Sequence, residues 1–212
     1  MRRLTFGAAC VAASLAATAG ASGPSARAEL RAAVVLDNAR VRVFKTTGAS
    51  LAGVAHGPGV VIPLEDGSAG KAGDAYWAAD AAIPVDLTGT NTGPLVIVEP
   101  KPAAKGVPPS PMGSRPGDAT FVGMSFKTLF ENERVTAIRA RMEVNAREGL
   151  HTHGSDTLVV HLSGGAVEDT ANGTTKVNRW KPGDVEFESR GSSHSARNVG
   201  QAIDVVLVAL KP

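Results

Sequence analysis

The chain has 212 residues, rich in glycine (24) and proline (13) and poor in aromatics, and its 22 Lys and Arg against 20 Asp and Glu leave a net charge of +2. So balanced a charge gives no basis for binding nucleic acid or an anionic membrane. The single cysteine, Cys10, excludes an intramolecular disulfide.

In chain order, Arg2-Arg3, an apolar stretch from Leu4 to about Ala17, and the small residues Ala26 and Ala28 form a secretory signal pattern. Residues 1–28 are read as a cleaved leader, which predicts an exported protein, periplasmic or secreted, with no membrane insertion after cleavage. Arg2, Arg3, Arg27 and Cys10 would leave with it, so the basic excess belongs to the leader and the mature protein has no cysteine.

The remainder repeats itself. Val35-Leu-Asp-Asn38-Ala-Arg40-Val41 echoes Leu129-Phe-Glu-Asn132-Glu-Arg134-Val135, and Gly73-Asp74-Ala-Tyr-Trp77 echoes Gly183-Asp184-Val-Glu-Phe187. At the same offset of 110, Leu95 to Pro102 echoes Val205 to Pro212. One β-unit has been duplicated, over 33–102 and 121–212, with a Pro-rich linker over 103–120 (Pro108, Pro109, Pro111, Pro116). Short Val-rich runs punctuated by Gly and Pro predict an all-β fold. Trp180, Phe187, Phe126 and Phe130 read as core of the second unit, and Tyr76-Trp77 as core of the first.

In the second unit a strand is predicted over Leu150 to Leu162, broken near Gly154. Asn172-Gly173 is a strong hairpin signal, and Pro182-Gly183-Asp184 and Gly191 mark further turns. Four of the five histidines fall here: His151, His153, His161 and His194. Alternate side chains of a strand share a face, so His151 and His153 project together, and the reversals allow His194 to return to them. Neutral imidazoles in such a group suit a divalent transition metal, Zn, Fe, Mn, Ni or Cu.

Gly149-Leu-His151-Thr-His153 followed by Gly164 or Gly165 resembles the first motif of the cupin superfamily. Gly183-Asp184 leading to Gly191-Ser-Ser-His194 and Asn198 resembles the second. The resemblance spans about Phe121 to Pro212, with a weaker echo over about Ala33 to Pro102. It implies two jelly-roll β-barrels of the double-stranded β-helix type in tandem, a small bicupin with a degenerate first barrel. It also makes His151, His153 and His194 the metal ligands. The family's glutamate ligand would fall at Thr157, with Asp156 one residue early. Asp156 is therefore a ligand only if it belongs to the loop after Gly154, since one step along a regular strand reverses the face.

His161 shares strand parity with Thr157 and Val159, and is read either as a catalytic acid or base lining the cavity or as a polar wall residue. Arg190 and Arg197 read as surface charges, and Asn198 as a turn anchor. In the first copy His56 stands alone and Pro84 falls opposite His194, so that unit is expected to cover the second barrel rather than hold an ion. Two classes of function stay open. One is a small metal-dependent enzyme of dioxygenase, isomerase or lyase type acting on a small molecule, anionic ones included. The other is a module that binds a sugar, an organic acid or a metal without turnover. A homodimer is also open, because cupin-like barrels often pair through strand edges.

Overall fold

The computed structural model describes residues 33–47, 57–79, 93–102 and 121–212. The expected leader, the Pro-rich linker, His56 and Pro84 lie outside them. The described residues form thirteen strands and no helix. From the first copy come β1 (Ala33–Asp37), β2 (Val41–Thr47), β3 (Gly59–Pro63), β4 (Tyr76–Ala78) and β5 (Pro94–Pro100). They make one antiparallel sheet in the order β1-β2-β5-β3-β4.

The second copy supplies β6 (Phe121–Glu131), β7 (Val135–Thr152), β8 (Thr157–His161) and β9 (Gly165–Ala171), followed by β10 (Thr174–Trp180), β11 (Val185–Glu188), β12 (Ser193–Asn198) and β13 (Ile203–Leu210). All eight join in one curled antiparallel sheet, β10-β9-β12-β7-β13-β8-β11, with β6 on the other edge of β7. The run β6-β7-β13-β8-β11 repeats the strand order of the first sheet, so the duplication seen in the sequence is also one of topology.

The curl is made by β7, whose 18 residues serve two walls. Its first half pairs with β13 as far as Met142, and its last residues pair with β12 from Arg147 onward. Asn145, between them, has φ of 62°, and Gly123 on the facing strand has φ of 70°. A left-handed residue on each strand turns the ribbon there. Asn198 pins this bend: its amide donates to the carbonyls of Met142, Glu143 and Gln201, and its side-chain oxygen accepts from Gly200 N–H. The Asn172-Gly173 hairpin forms as read, with φ of 51° and 73° at the two loop residues joining β9 to β10.

Among the described residues the expected pair of barrels is one barrel and one sheet. The second copy places the β9–β10 hairpin between β8 and β11, whereas the first copy has only residues 64–75 there, folded into a tight turn closed by Gly67 and Gly70. Without those strands the first sheet buries a face against the second copy instead. Val41, Val43, Val60, Ile62, Val96 and Val98 pack on Val135, Leu158, Val160, Val206, Val208 and Leu210. These twelve residues form the main core. Strands β3 and β8 are covered on both sides, which is why each reads as a continuous buried run rather than an alternating one.

Candidate metal centre

His151 and His153 lie at and just beyond the end of β7, and His194 lies on β12 directly opposite His151 in the ladder. The ring centroids of the three are 4.7 to 4.9 Å apart, and one nitrogen from each falls within 4.8 Å of the others. That grouping follows from the strand period and the strand pairing together, as the sequence predicts.

Two of the rings are oriented by hydrogen bonds. His151 Nδ1 lies 3.0 Å from Gly149 O, and His194 Nδ1 lies 2.9 Å from Asp169 Oδ1 on β9. With Nδ1 donating to an oxygen, the lone pair stays on Nε2, which leaves that nitrogen free for a metal. His194 Nε2 is buried and has no hydrogen-bond partner among the described residues. An orphaned imidazole nitrogen beside two further imidazoles fits a divalent ion, which would take up the lone pair that burial otherwise strands. His153 Nδ1 lies 3.5 Å from Glu188 Oε2. Burial and its two neighbouring imidazoles push the His153 pKa down to about 4, so the ring is a neutral donor at physiological pH.

The triad opens into a barrel cavity of about 300 Å³, the lower end of the range for small-molecule sites. Its walls are apolar, with Met142, Val159, Trp180 and Leu207 among them, and its polar lining includes Glu148, Asp169, Glu186 and Glu188. Burial raises the pKa of Glu148 and of Glu186. It carries Glu188 to about 8, helped by the repulsion of Glu186, Glu148 and Asp169. Among the described residues no lysine or arginine lines the cavity.

His161 is in the cavity wall, 3% exposed and stacked on Trp180 with ring centroids 4.5 Å apart. Neither ring nitrogen has a partner, and burial lowers its pKa to about 4. Thr157 also lines the cavity, its hydroxyl 3.4 Å from Ser155 O. Phe126, expected in the core, is 49% exposed and edge-on to Phe121 at the cavity rim, because β6 is an outer strand.

Asp156 is not brought to the triad. Its Oδ2 pairs with Arg40 Nε at 2.8 Å and its Oδ1 accepts from the backbone N–H of Arg190. The loop does release it from strand parity, but toward the first copy, where Arg40 supplies the counter-charge. The carboxylates that do reach the site come from β7, β9 and β11, and sequence spacing alone did not reveal them. Glu186 and Glu188 alternate correctly on β11 to share a face, a signal visible once β11 is known to be a wall of the barrel. Glu148 is out of step with His151 and was hidden for that reason.

The second copy is thus a curled antiparallel barrel with three imidazoles converging inside it. Solved cupin structures align with the chain. A cupin domain from Bordetella pertussis Tohama I does so at 20% identity over 44% of this chain and 98% of its own, with a TM-score of 0.41. An RmlC-like cupin from Shewanella frigidimarina aligns at 17% identity over 49% and 93%, with a TM-score of 0.36. The polyketide cyclase RemF from Streptomyces resistomycificus aligns at 17% over 44% and 67%, with a TM-score of 0.38. No family model and no curated protein matches the chain. These likenesses concern the fold alone.

Proposed function

We propose that the chain is an exported metalloprotein that holds one divalent transition-metal ion on His151, His153 and His194 and uses it on a small organic molecule admitted to the barrel. The observation that carries this reading is the buried Nε2 of His194, without a hydrogen-bond partner among the described residues, beside two further imidazoles at the wall of the barrel cavity. When bound, the ion supplies a Lewis acid that polarises a ligand oxygen. The protein's own groups do the rest. Asp169 and Gly149 O hold two rings in the tautomer that leaves Nε2 free, and His161 and Glu186 stand in the same cavity as groups able to accept or donate a proton. Such groups favour a metal-dependent enzyme of lyase, isomerase or dioxygenase type over a passive carrier.

The test is elemental analysis and Zn(II) titration of the protein beside the His151→Ala, His153→Ala double variant. One equivalent in the wild type and loss of binding in the variant is the expected result. Equal, sub-stoichiometric metal in both would end the metal reading. A loaded protein that binds small molecules but turns none of them over would favour the carrier.

A further inference from the structure

Inward-facing residues of β7 keep even numbers along most of the strand. Ala140, Met142 and Ala146 pack in the barrel core, and Glu148 lines the cavity. His151 also faces the cavity, at an odd position. The change of step is a bulge: His151 pairs with His194 and Glu148 with Ala196, so Gly149 and Leu150 together face the single residue Ser195. On the β12 side the count stays regular, because Ser195 and Ala196 pair in unbroken register with Thr170 and Asp169 of β9. The extra residue therefore belongs to β7, and its effect is to aim Glu148 and His151 into the same space.

Glu148 reaches the side of the triad where an ion would sit. Its Oε2 lies 3.7 Å from Nε2 of His194, the nitrogen left without a partner. Its side chain is 19% exposed. The other carboxylates are placed differently. Asp169 is engaged at His194 Nδ1, on the far edge of that ring, and Glu188 approaches His153 at Nδ1.

Building on the metal reading above, we propose that Glu148 is the fourth protein ligand of the ion, delivered by the bulge at Gly149-Leu150. It replaces the carboxylate missing at Thr157. Three neutral imidazoles leave a divalent ion its full charge, whereas an added carboxylate halves it and makes a mixed nitrogen and oxygen set.

Zn(II) affinity, read by competition with a chromophoric chelator, and the visible spectrum of the Co(II)-loaded protein decide the matter in wild type, Glu148→Gln, Glu188→Gln and the His151→Ala, His153→Ala variant. Glu148→Gln is expected to bind Zn(II) at least about tenfold more weakly and to change the Co(II) spectrum, while Glu188→Gln stays closer to wild type. If the double histidine variant binds like wild type, the metal reading falls and this inference with it. If that variant loses metal while Glu148→Gln stays within about twofold of wild type with an unchanged spectrum, the triad stands and Glu148 is not a ligand. A larger loss in Glu188→Gln than in Glu148→Gln overturns the assignment too. Should Glu148→Gln fail to fold, a crystal structure of the Zn(II)-loaded wild type decides: a Glu148 oxygen at about 2.0–2.2 Å from zinc is expected, and one outside the coordination sphere refutes the proposal.

Discussion

Asp156 takes its role from the partner it meets. With side chains 18% and 17% exposed, Arg40 and Asp156 form a largely buried pair, and Arg40 also donates to Lys211 O. Asp156→Asn leaves the guanidinium without its counter-charge, so it should lower stability by roughly 1–3 kcal/mol, less than for a fully buried pair. Zn(II) affinity should stay within about twofold, and denaturant unfolding beside metal titration separates the two effects. His161 makes a different prediction, about pH. Its folded pKa is depressed to about 4 while the unfolded chain protonates near 6.5, so between those values the unfolded state binds more protons. Stability therefore falls as pH drops through that window, by roughly 3 kcal/mol in all from this one group. His161→Phe keeps an aromatic ring on Trp180 and removes the proton site. Urea unfolding of the metal-free proteins at pH 7 and pH 4.5 should show a smaller acid loss in the variant; His153, depressed by the same environment, accounts for part of what persists. Equal losses would mean that burial does not hold His161 neutral.

At the scale of the strand, the bulge on β7 decides what the site contains. Leu150 is 64% exposed, so its side chain contributes little packing, yet its backbone supplies the extra step that brings Glu148 and His151 onto one face. Deleting Leu150 should restore regular pairing with β12 and turn either Glu148 or the histidine pair out of the cavity. Circular dichroism is expected to keep its β signature while Zn(II) binding drops by at least about tenfold; unchanged affinity would show that the bulge has no part in the site. The same element shows where reading the sequence succeeds and where it stops. The His-x-His pair, the Asn172-Gly173 hairpin and the return of His194 are legible because each depends on a local period or turn. Glu148 is not, because a bulge is defined by what stands opposite, and Ser195 is 46 residues away in sequence and adjacent only after folding. Among the described residues of the first copy, the stretch between β3 and β4 lacks a counterpart of the β9–β10 hairpin, a difference of length that the matching motifs on either side do not reveal.

Across the whole molecule the two copies face each other through equivalent positions. Val41 and Val135, Val96 and Val206, and Val98 and Val208 occupy matched places in the repeat, and all six lie in the shared core. The polar rim repeats approximately: Arg40 donates to Lys211 O while Arg134 donates to Pro100 O, one residue short of the matching Lys101, and Asn38 and Asn132 each accept from the two following backbone N–H groups. A surface that meets its own counterpart through equivalent core positions resembles an isologous dimer interface, here built within one chain. The first copy therefore fills the face that a lone barrel would leave bare. Residues 121–212 expressed alone would expose Val135, Leu158, Val160, Val206, Val208 and Leu210, an apolar patch that a soluble monomer rarely leaves open. Because this face already pairs with a copy of its own design, the fragment should form a discrete homodimer rather than aggregate at random. Sedimentation equilibrium is expected to report twice the fragment mass, and Val208→Asp, at the centre of the face, should return it to a monomer or prevent folding. The same charge in the full-length chain would sit against the first sheet and should destabilise it, joining the two results to one surface. A fragment that stays monomeric with Val208 intact would show that the pseudo-symmetry is geometric only and that the first sheet contributes more than the cover of a dimer face.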